Sequence, residues 1–527
     1  MPKCLFLVLL VVSVIAPRHS LADEWTFLGP EGGDARKLAF DPQNPNRILL
    51  GTNAGALFAS DDGGRSWFFR AQIGDRQDYV LDDIVFDPRE SRTVYIAAWS
   101  VEQKGRGGVF KSTDGGYNWR VLLPMEAKSV RALALSPSAP RIVLAGTLEG
   151  VFRSEDAGNS WHAISQNREG PENVGALALN PADPDVIFAG TFHLPWRTRN
   201  GGRTWSLIRS GLIDDSDIFS IFIDPRNPDV VFASACSGIY KSSDRGTHFR
   251  KLRGIPFSAR RTRVIRQHPS NSSVVYAGTT EGLWRTLNGG FTWSRLTDRT
   301  VVVNDVMLDP RSTNHLLVAA DRIGILASHD GGMTFHPSNR GFFHRQVRTF
   351  AIGTSPNTLY ASDPNGKEFG GVFVTHDGGL TWKQINNGLV GREVFTLQVD
   401  SQGMLIAGTQ NGVFILDPST LTWRATGPLA VTNQRVLRTP RLQEKSIEAS
   451  IGRVLQLLTN LGNGSERWHA ATAEGVFSSL DQGHSWAGGR LPPRKCSRRL
   501  TSRANPFWPP LPHMSSFPVT KAVGKNC

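Results

Sequence analysis

One eight-residue pattern, Ser/Thr-x-Asp/Asn-x-Gly-x-x-Trp/Phe, recurs in register along this chain and limits what it can fold into. Its acceptor and aromatic positions are Asp62/Trp67, Asp114/Trp119, Asp156/Trp161, Asn200/Trp205, Asp244/Phe249, Asn288/Trp293, Asp330/Phe335, Asp377/Trp382 and Asp481/Trp486. A decayed copy ends at Trp423. Most copies start roughly 42 to 52 residues apart, a period that points to propeller blades or solenoid units.

Each unit carries more than the octad. Residues 35–42 form an alternating run ending in Asp-Pro, and Arg47 to Thr52, Gly55 to Ser60 and Ser66 to Arg70 form three more. The same four-part order returns at 131–164 and 176–208. Short apolar alternating runs separated by Asp-Pro, Asn-Pro and Gly-Gly are strand and turn signals. Four strands per unit predict an all-β chain, a β-propeller of four-stranded antiparallel blades with about ten repeats. A single large ring is favoured over two propellers, because units two to nine run without a linker. The sizeable gap is the irregular stretch 426–452.

The octad falls on the turn between the third and fourth strands. Its Asp is suited to accept backbone N–H bonds in an Asx turn, and its glycines to adopt positive φ. Its aromatic residue is expected to cover its own hairpin. Asn200 and Asn288 keep the amide oxygen and lose the charge, which fits a structural clasp. A calcium loop would need further oxygen ligands and a terminal Glu that no copy supplies.

These octads resemble the Asp-box (BNR) repeats of a propeller superfamily that includes sialidases, xyloglucan-degrading glycosidases, sortilin-type receptor domains and photosystem II assembly factors. The resemblance spans residues 25 to 489 and implies the propeller fold. It leaves activity open, because the superfamily hosts unrelated functions. The Arg-Ile-Pro segment of sialidases does not occur here. Asn53 stands where the resemblance to the xyloglucan-type enzymes places a catalytic Asp, and an amide cannot exchange protons in that role. The cysteine-rich module of sortilin-type receptors is also missing.

The formal charge is +13, but residues 490–527 hold eight Lys or Arg and no acid, and residues 1–22 hold two and no acid. The remainder carries only +3, which argues against nucleic acid as a partner. Residues 1–22 read as a signal peptide, with an apolar run from Cys4 to Ala16 and small residues before Asp23. This predicts a secreted or periplasmic protein without a membrane span. The basic, Pro/Arg/Ser-rich tail 490–527 shows no strand rhythm and is expected to be disordered. Cys236, Cys496 and Cys527 give no disulfide framework, and no His/Cys spacing suits a metal. No cofactor is expected.

Binding residues in propellers gather on loops at one face. Three hairpins here are longer than the rest and supply Trp99, Lys104 and Arg106; His193 and Trp196; and Asp363, Lys367 and Glu368. Loops entering the first strands carry Asp82, Asp83, Asp214, Asp215 and Asp217. The favoured reading is an exported, non-catalytic scaffold that displays these residues to a protein or glycan. The alternative is a glycoside hydrolase, sialidase- or xyloglucanase-like, with two of the five aspartates as acid and base.

Overall fold

The computed structural model describes residues 28–490 apart from 166–169, 215, 260, 364–369, 390–391, 428, 431–452, 463–464 and 473–474. The expected signal peptide, most of the 426–452 insertion and the tail beyond 490 lie outside the described residues. So do Asp215, Lys367 and Glu368.

The described chain is a β-propeller protein whose regular structure is strand, apart from two short 3-10 turns at Leu123–Met125 and Phe257–Ala259. Ten antiparallel sheets follow one another in sequence order. In the first blade Ala35–Phe40 lines the inside, then come Ile48–Thr52, Ala56–Ser60 and the outermost strand Phe68–Gln72. The second and third strands are buried throughout because both of their faces meet neighbouring blades. Such strands read as near-continuous apolar runs.

The octads close the outer hairpins. Ser60 Oγ donates to Asp62 Oδ1 at 2.8 Å, and the amides of Arg65 and Ser66 donate to the same oxygen. Asn200 makes the equivalent set with Thr198 and Thr204 through its amide. In blades 3, 7 and 8 the hydroxyl of the octad's seventh residue holds the Asp carboxyl well below its ordinary 3.8. Gly64 has φ +87°, and a Cβ there would lie 2.7 Å from Leu317 of blade 7. A side chain at that point would force two blades apart.

The expectation of a single ten-bladed ring is corrected. The innermost strands of blades 1 to 7 contact each other in turn, and the seventh, Val303–Leu308, returns to Ala35–Phe40. The joint is specific: Asp305 accepts from Leu38 N, Asn304 donates to Ala35 O, and Trp67 Nε1 donates to Ser338 O. Leu38, Phe58 and Trp67 share one core with Leu317, Ile325 and Phe342. Seven blades therefore complete a circuit. Blades 8 to 10 start at Thr349–Ile352, Val394–Val399 and Val454–Gly462 and pack as a separate run. The contacts that join the first and seventh blades are ones that a repeat count does not encode.

The octad aromatics do more than cover their own hairpins. Most of these rings reach back into the joint with the preceding blade, as Trp67 does with blade 7. Trp119 packs on the core shared by blades 1 and 2, Trp161 on that of blades 2 and 3, and Trp205 on that of blades 3 and 4. Phe249 belongs to the core of blades 4 and 5, Trp293 to that of blades 5 and 6, and Phe335 packs on that of blades 6 and 7. A hairpin can cover one face of an aromatic ring, so the other face needs a neighbouring blade. Phe249 is buried in this way, whereas Trp119, Trp161, Phe335 and Trp382 are half-buried. Trp119 and Trp161 also keep a bond to their own turns, donating Nε1 to Gly116 O at 2.9 Å and Gly158 O at 3.0 Å. Trp382 of blade 8 meets the entering chain instead. Its Nε1 donates to Gly379 O at 3.0 Å and to Leu28 O, and its ring stands beside Gly29.

Basic residues span the joints as well. A cation near the outer end of one blade donates to the backbone carbonyl of the fourth octad residue in the next. Lys111 reaches Ala157 O at 2.7 Å, Arg197 reaches Arg245 O, Lys241 reaches Gly289 O at 3.3 Å and Arg285 reaches Gly331 O at 2.6 Å. Arg47 makes the same contact with Gly115 O. Ala327, Val374, Ile415 and Ser478 occupy that third-strand position in blades 7 to 10.

Candidate functional site

Two polar sites stand out. The first is the mouth of the seven-bladed ring, a cavity of about 770 Å³. Six of the ring's innermost strands carry a one-residue bulge, at Arg36, Asp82, Arg131, Gly175, Phe219 and Asn304. A bulge re-aims the extra side chain, and all six residues line the cavity.

The sequence-selected acids do meet here, but they are already engaged. Asp82 pairs with Arg36 at 2.6 Å and accepts from Trp99 Nε1. Asp83 accepts from Leu133 N at 3.0 Å and pairs with Lys37 at 3.2 Å. Asp217 lines the same cavity, whereas Asp214 is exposed and pairs with Arg209 at 3.2 Å. Cations of blade 1 thus neutralise Asp82 and Asp83, two of the five aspartates weighed as acid and base.

Trp99 is the one predicted aromatic at this mouth. The Arg131 guanidinium lies 3.9 Å over its ring and 5.6 Å from that of Phe192. Burial lowers the Arg131 pKa. Lys104 and Arg106 are exposed in the loop of the same hairpin. His193 lies 3.9 Å from Asp214. Trp196 is corrected from loop to core: it belongs to strand Pro195–Thr198 and packs between blades 3 and 4 with Val151, Val174 and Trp205.

The second site is a polar pocket of about 260 Å³ where blades 1, 7 and 8 approach. It is lined by Gly33, Asp34, Asn53, Asp321, Arg322, His344, Gln346 and Asp363. Chain geometry builds it. Gly32 and Gly33 pair in parallel with Phe343 and His344, and this short ladder holds blade 8 beside the ring. A Cβ on Gly33 would lie 2.1 Å from His344 O, so only glycine permits the approach.

Asp34 accepts from Asn53 Nδ2 at 2.8 Å and from Arg322 N at 2.7 Å. Asp363 pairs with the buried Arg345 at 3.2 Å. Burial, and then the neighbouring Asp34 charge, push the Asp321 pKa above 3.8. Burial lowers the His344 pKa, and its Nδ1 is enclosed without a partner. A carboxyl biased toward its protonated form among carboxylates is an arrangement that general acid–base chemistry requires. Of this set, sequence reasoning selected Asp363, and noted Asn53 only as an amide where the resemblance places an acid. It missed Asp34, on the link between the entering strand and blade 1, Asp321, in a hairpin turn, and His344, in the short strand beside Gly33. The one available signal was Arg322, a charged residue in a left-handed hairpin position (φ 64°), visible only in the backbone.

Among the described residues, no helix is long and apolar enough to cross a membrane. Nor do three His, Cys, Asp or Glu side chains group to hold a metal ion.

No family model matches the chain. A probable oligoxyloglucan-reducing end-specific xyloglucanase of Neosartorya fischeri is 31% identical over 94 residues, 18% of this chain and 11% of that protein. The photosystem II assembly lipoprotein Ycf48 of a Synechococcus species is 32% identical over 122 residues, 22% of this chain and 32% of that protein. The chain thus aligns with less than a third of the length of these curated relatives. The crystal structure of an ancestral GH74 enzyme superimposes with a TM-score of 0.62 at 15% identity, covering 89% of this chain and 85% of that one. The shared property is architecture: the chain is a β-propeller protein of repeated four-stranded blades, similar in fold to GH74 enzymes.

Proposed function

We propose that the chain is an exported glycan-active propeller, a glycoside hydrolase that works in the pocket between blades 1, 7 and 8. The observation that carries this reading is Asp321, a shielded carboxyl with a raised pKa beside Asp34. In this reading Asp321 donates a proton to the glycosidic oxygen. Asp34 or Asp363 acts as base or nucleophile on the opposite side of the sugar. Asn53 and the Arg322 amide orient Asp34, and Arg345 orients Asp363. The partial identity to a xyloglucanase makes xyloglucan oligosaccharides the first substrate class to try.

A second reading, a non-catalytic scaffold for a protein or glycan, has its own support. Asn53 is an amide inside the pocket, and both Asp34 and Asp363 are tied by partners. The Trp99–Arg131 stack offers a separate recognition surface at the ring mouth. One experiment divides the two: release of reducing ends from xyloglucan oligosaccharides and a panel of other polysaccharides, alongside binding to the same panel. Hydrolysis lost in Asp321→Asn, with binding retained, supports the enzyme. Binding without any release from the unmodified protein supports the scaffold.

A further inference from the structure

The outermost strands of the seven ring blades are not alike. Six are two residues long: Arg120–Val121, His162–Ala163, Ser206–Leu207, Arg250–Lys251, Ser294–Arg295 and His336–Pro337. Such short edges give an incoming strand little to pair with. Blade 1 ends instead in the five-residue strand Phe68–Gln72, with nothing beside it in the sheet. Among the described residues, no backbone hydrogen bond from outside the sheet reaches Phe68–Gln72.

The molecule shows what such an edge can take. The other five-residue outer strand, Trp486–Arg490 of blade 10, is covered by a parallel strand, Leu429–Ala430, from elsewhere in the chain. Phe68–Gln72 has the same length and, among the described residues, no strand beside its outer edge.

Arg70 marks the position. The register shifts between Leu57/Ala71 and Phe58/Phe69, which leaves Arg70 as the extra, bulged residue. Its guanidinium is clamped between Phe68 at 4.8 Å and Tyr117 of blade 2 at 3.9 Å. Nε and Nη1 are enclosed by these rings without an acceptor, while Nη2 remains at the surface. Tyr117 is 64% exposed and Phe68 41%. A dehydrated guanidinium with an open edge attracts a carboxylate more strongly than a solvated one. A strand edge supplies affinity through its backbone, and flanking side chains set specificity.

We propose that the outer edge of blade 1 binds an extended, acidic segment of a partner protein, which adds as a fifth strand and places an Asp or Glu on Arg70. The probe is a fluorescein-labelled, amidated strand peptide, Thr-Val-Glu-Val-Thr-Val, with Gln and Lys versions at the third position. Fluorescence anisotropy against the full chain is expected to show the Glu peptide binding at least tenfold more tightly than the Gln peptide. Arg70→Gln is expected to erase that difference, and the Glu peptide is expected to slow amide exchange at 68–72. Tyr117→Ser provides a second variant that removes one side of the clamp and leaves Arg70 in place. It is expected to reduce the Glu preference without removing binding. Equal affinity for the three peptides, protection confined to other strands, or self-association that protects 68–72 in the absence of peptide would each overturn the proposal. The last outcome would make a second copy of the chain the occupant.

Discussion

The seven-bladed ring and the three blades that follow it share one repeat grammar but are held together differently. In the ring every blade has two neighbours, and basic residues bridge five of the joints through octad carbonyls. Arg153 bridges another, to Pro184 O and Asp185. In blades 8 to 10 the bridging cations are replaced by Val374, Ile415 and Ser478, and a gap of about 450 Å³ opens between blades 9 and 10. Phe350 and Ile352 on the inner strand of blade 8 are 68% and 63% exposed. In blade 10, Val476 is 52% exposed, whereas its equivalents in the ring, Val109, Val151, Leu283 and Ile325, are fully buried. Closure thus does two things at once: it buries both faces of each blade, and it makes every joint depend on all the others.

The largest test of this contrast falls on the open run. Trp468→Ala removes a fully buried side chain from the joint between blades 9 and 10. It is expected to cost about 3–5 kcal/mol, and limited proteolysis is expected to remove blades 8–10 while the ring survives. Asp305→Ala attacks the ring where it closes. It strips Lys37, Arg266 and the Leu38 amide of a buried partner. The expected loss is about 3 kcal/mol in denaturant unfolding, with the whole ring unfolding as one unit.

Smaller changes sharpen the comparison. Lys111→Met deletes one inter-blade bridge and is expected to cost about 1–2 kcal/mol. Ile415→Lys, which installs a cation at the matching place in blade 9, is expected to stabilise the open run by less than about 1 kcal/mol, read as a rise in its melting step. Within the octad, Asp62→Ala is expected to cost about 1 kcal/mol and Asp62→Asn almost nothing, because Asn200 and Asn288 already fill that role in other blades. The last test is a pH dependence. The folded pKa of Asp321 is raised, so its favourable contribution is present below about 3.8 and is lost as pH rises through the folded value. Asp321→Asn is therefore expected to raise the melting temperature at neutral pH and to leave it unchanged near pH 3.

The blade was legible in the sequence, and the ring was not. Alternating runs and the Ser60-x-Asp62 clasp act over a few residues, so periodicity reveals them. The octad aromatics were half legible: Trp119 and Trp161 do bond to their own turns, but the blade that each ring leans on lies outside its own repeat. Closure rests on contacts such as Leu38 with Asp305 and Trp67 with Ser338, some 270 residues apart, made by residue types that any blade could carry. The candidate pocket was partly visible for the same reason. Asp363 stood out on a long hairpin, and Asn53 stood out against the resemblance. Asp34 and Asp321 became notable only when the seventh blade met the first. Trp196 misled because its unit has an irregular third-strand entry at Leu194, with φ 61°, which disguises a core position as a loop.

Each of the ten sheets is woven from consecutive chain, and the first and seventh blades meet without exchanging a strand. A break in the polypeptide between two blades would sever one connection and leave all sheets whole. The ring would also tolerate new chain ends at any of the six connections between its blades, a freedom denied to propellers that lock shut by sharing a blade between their ends.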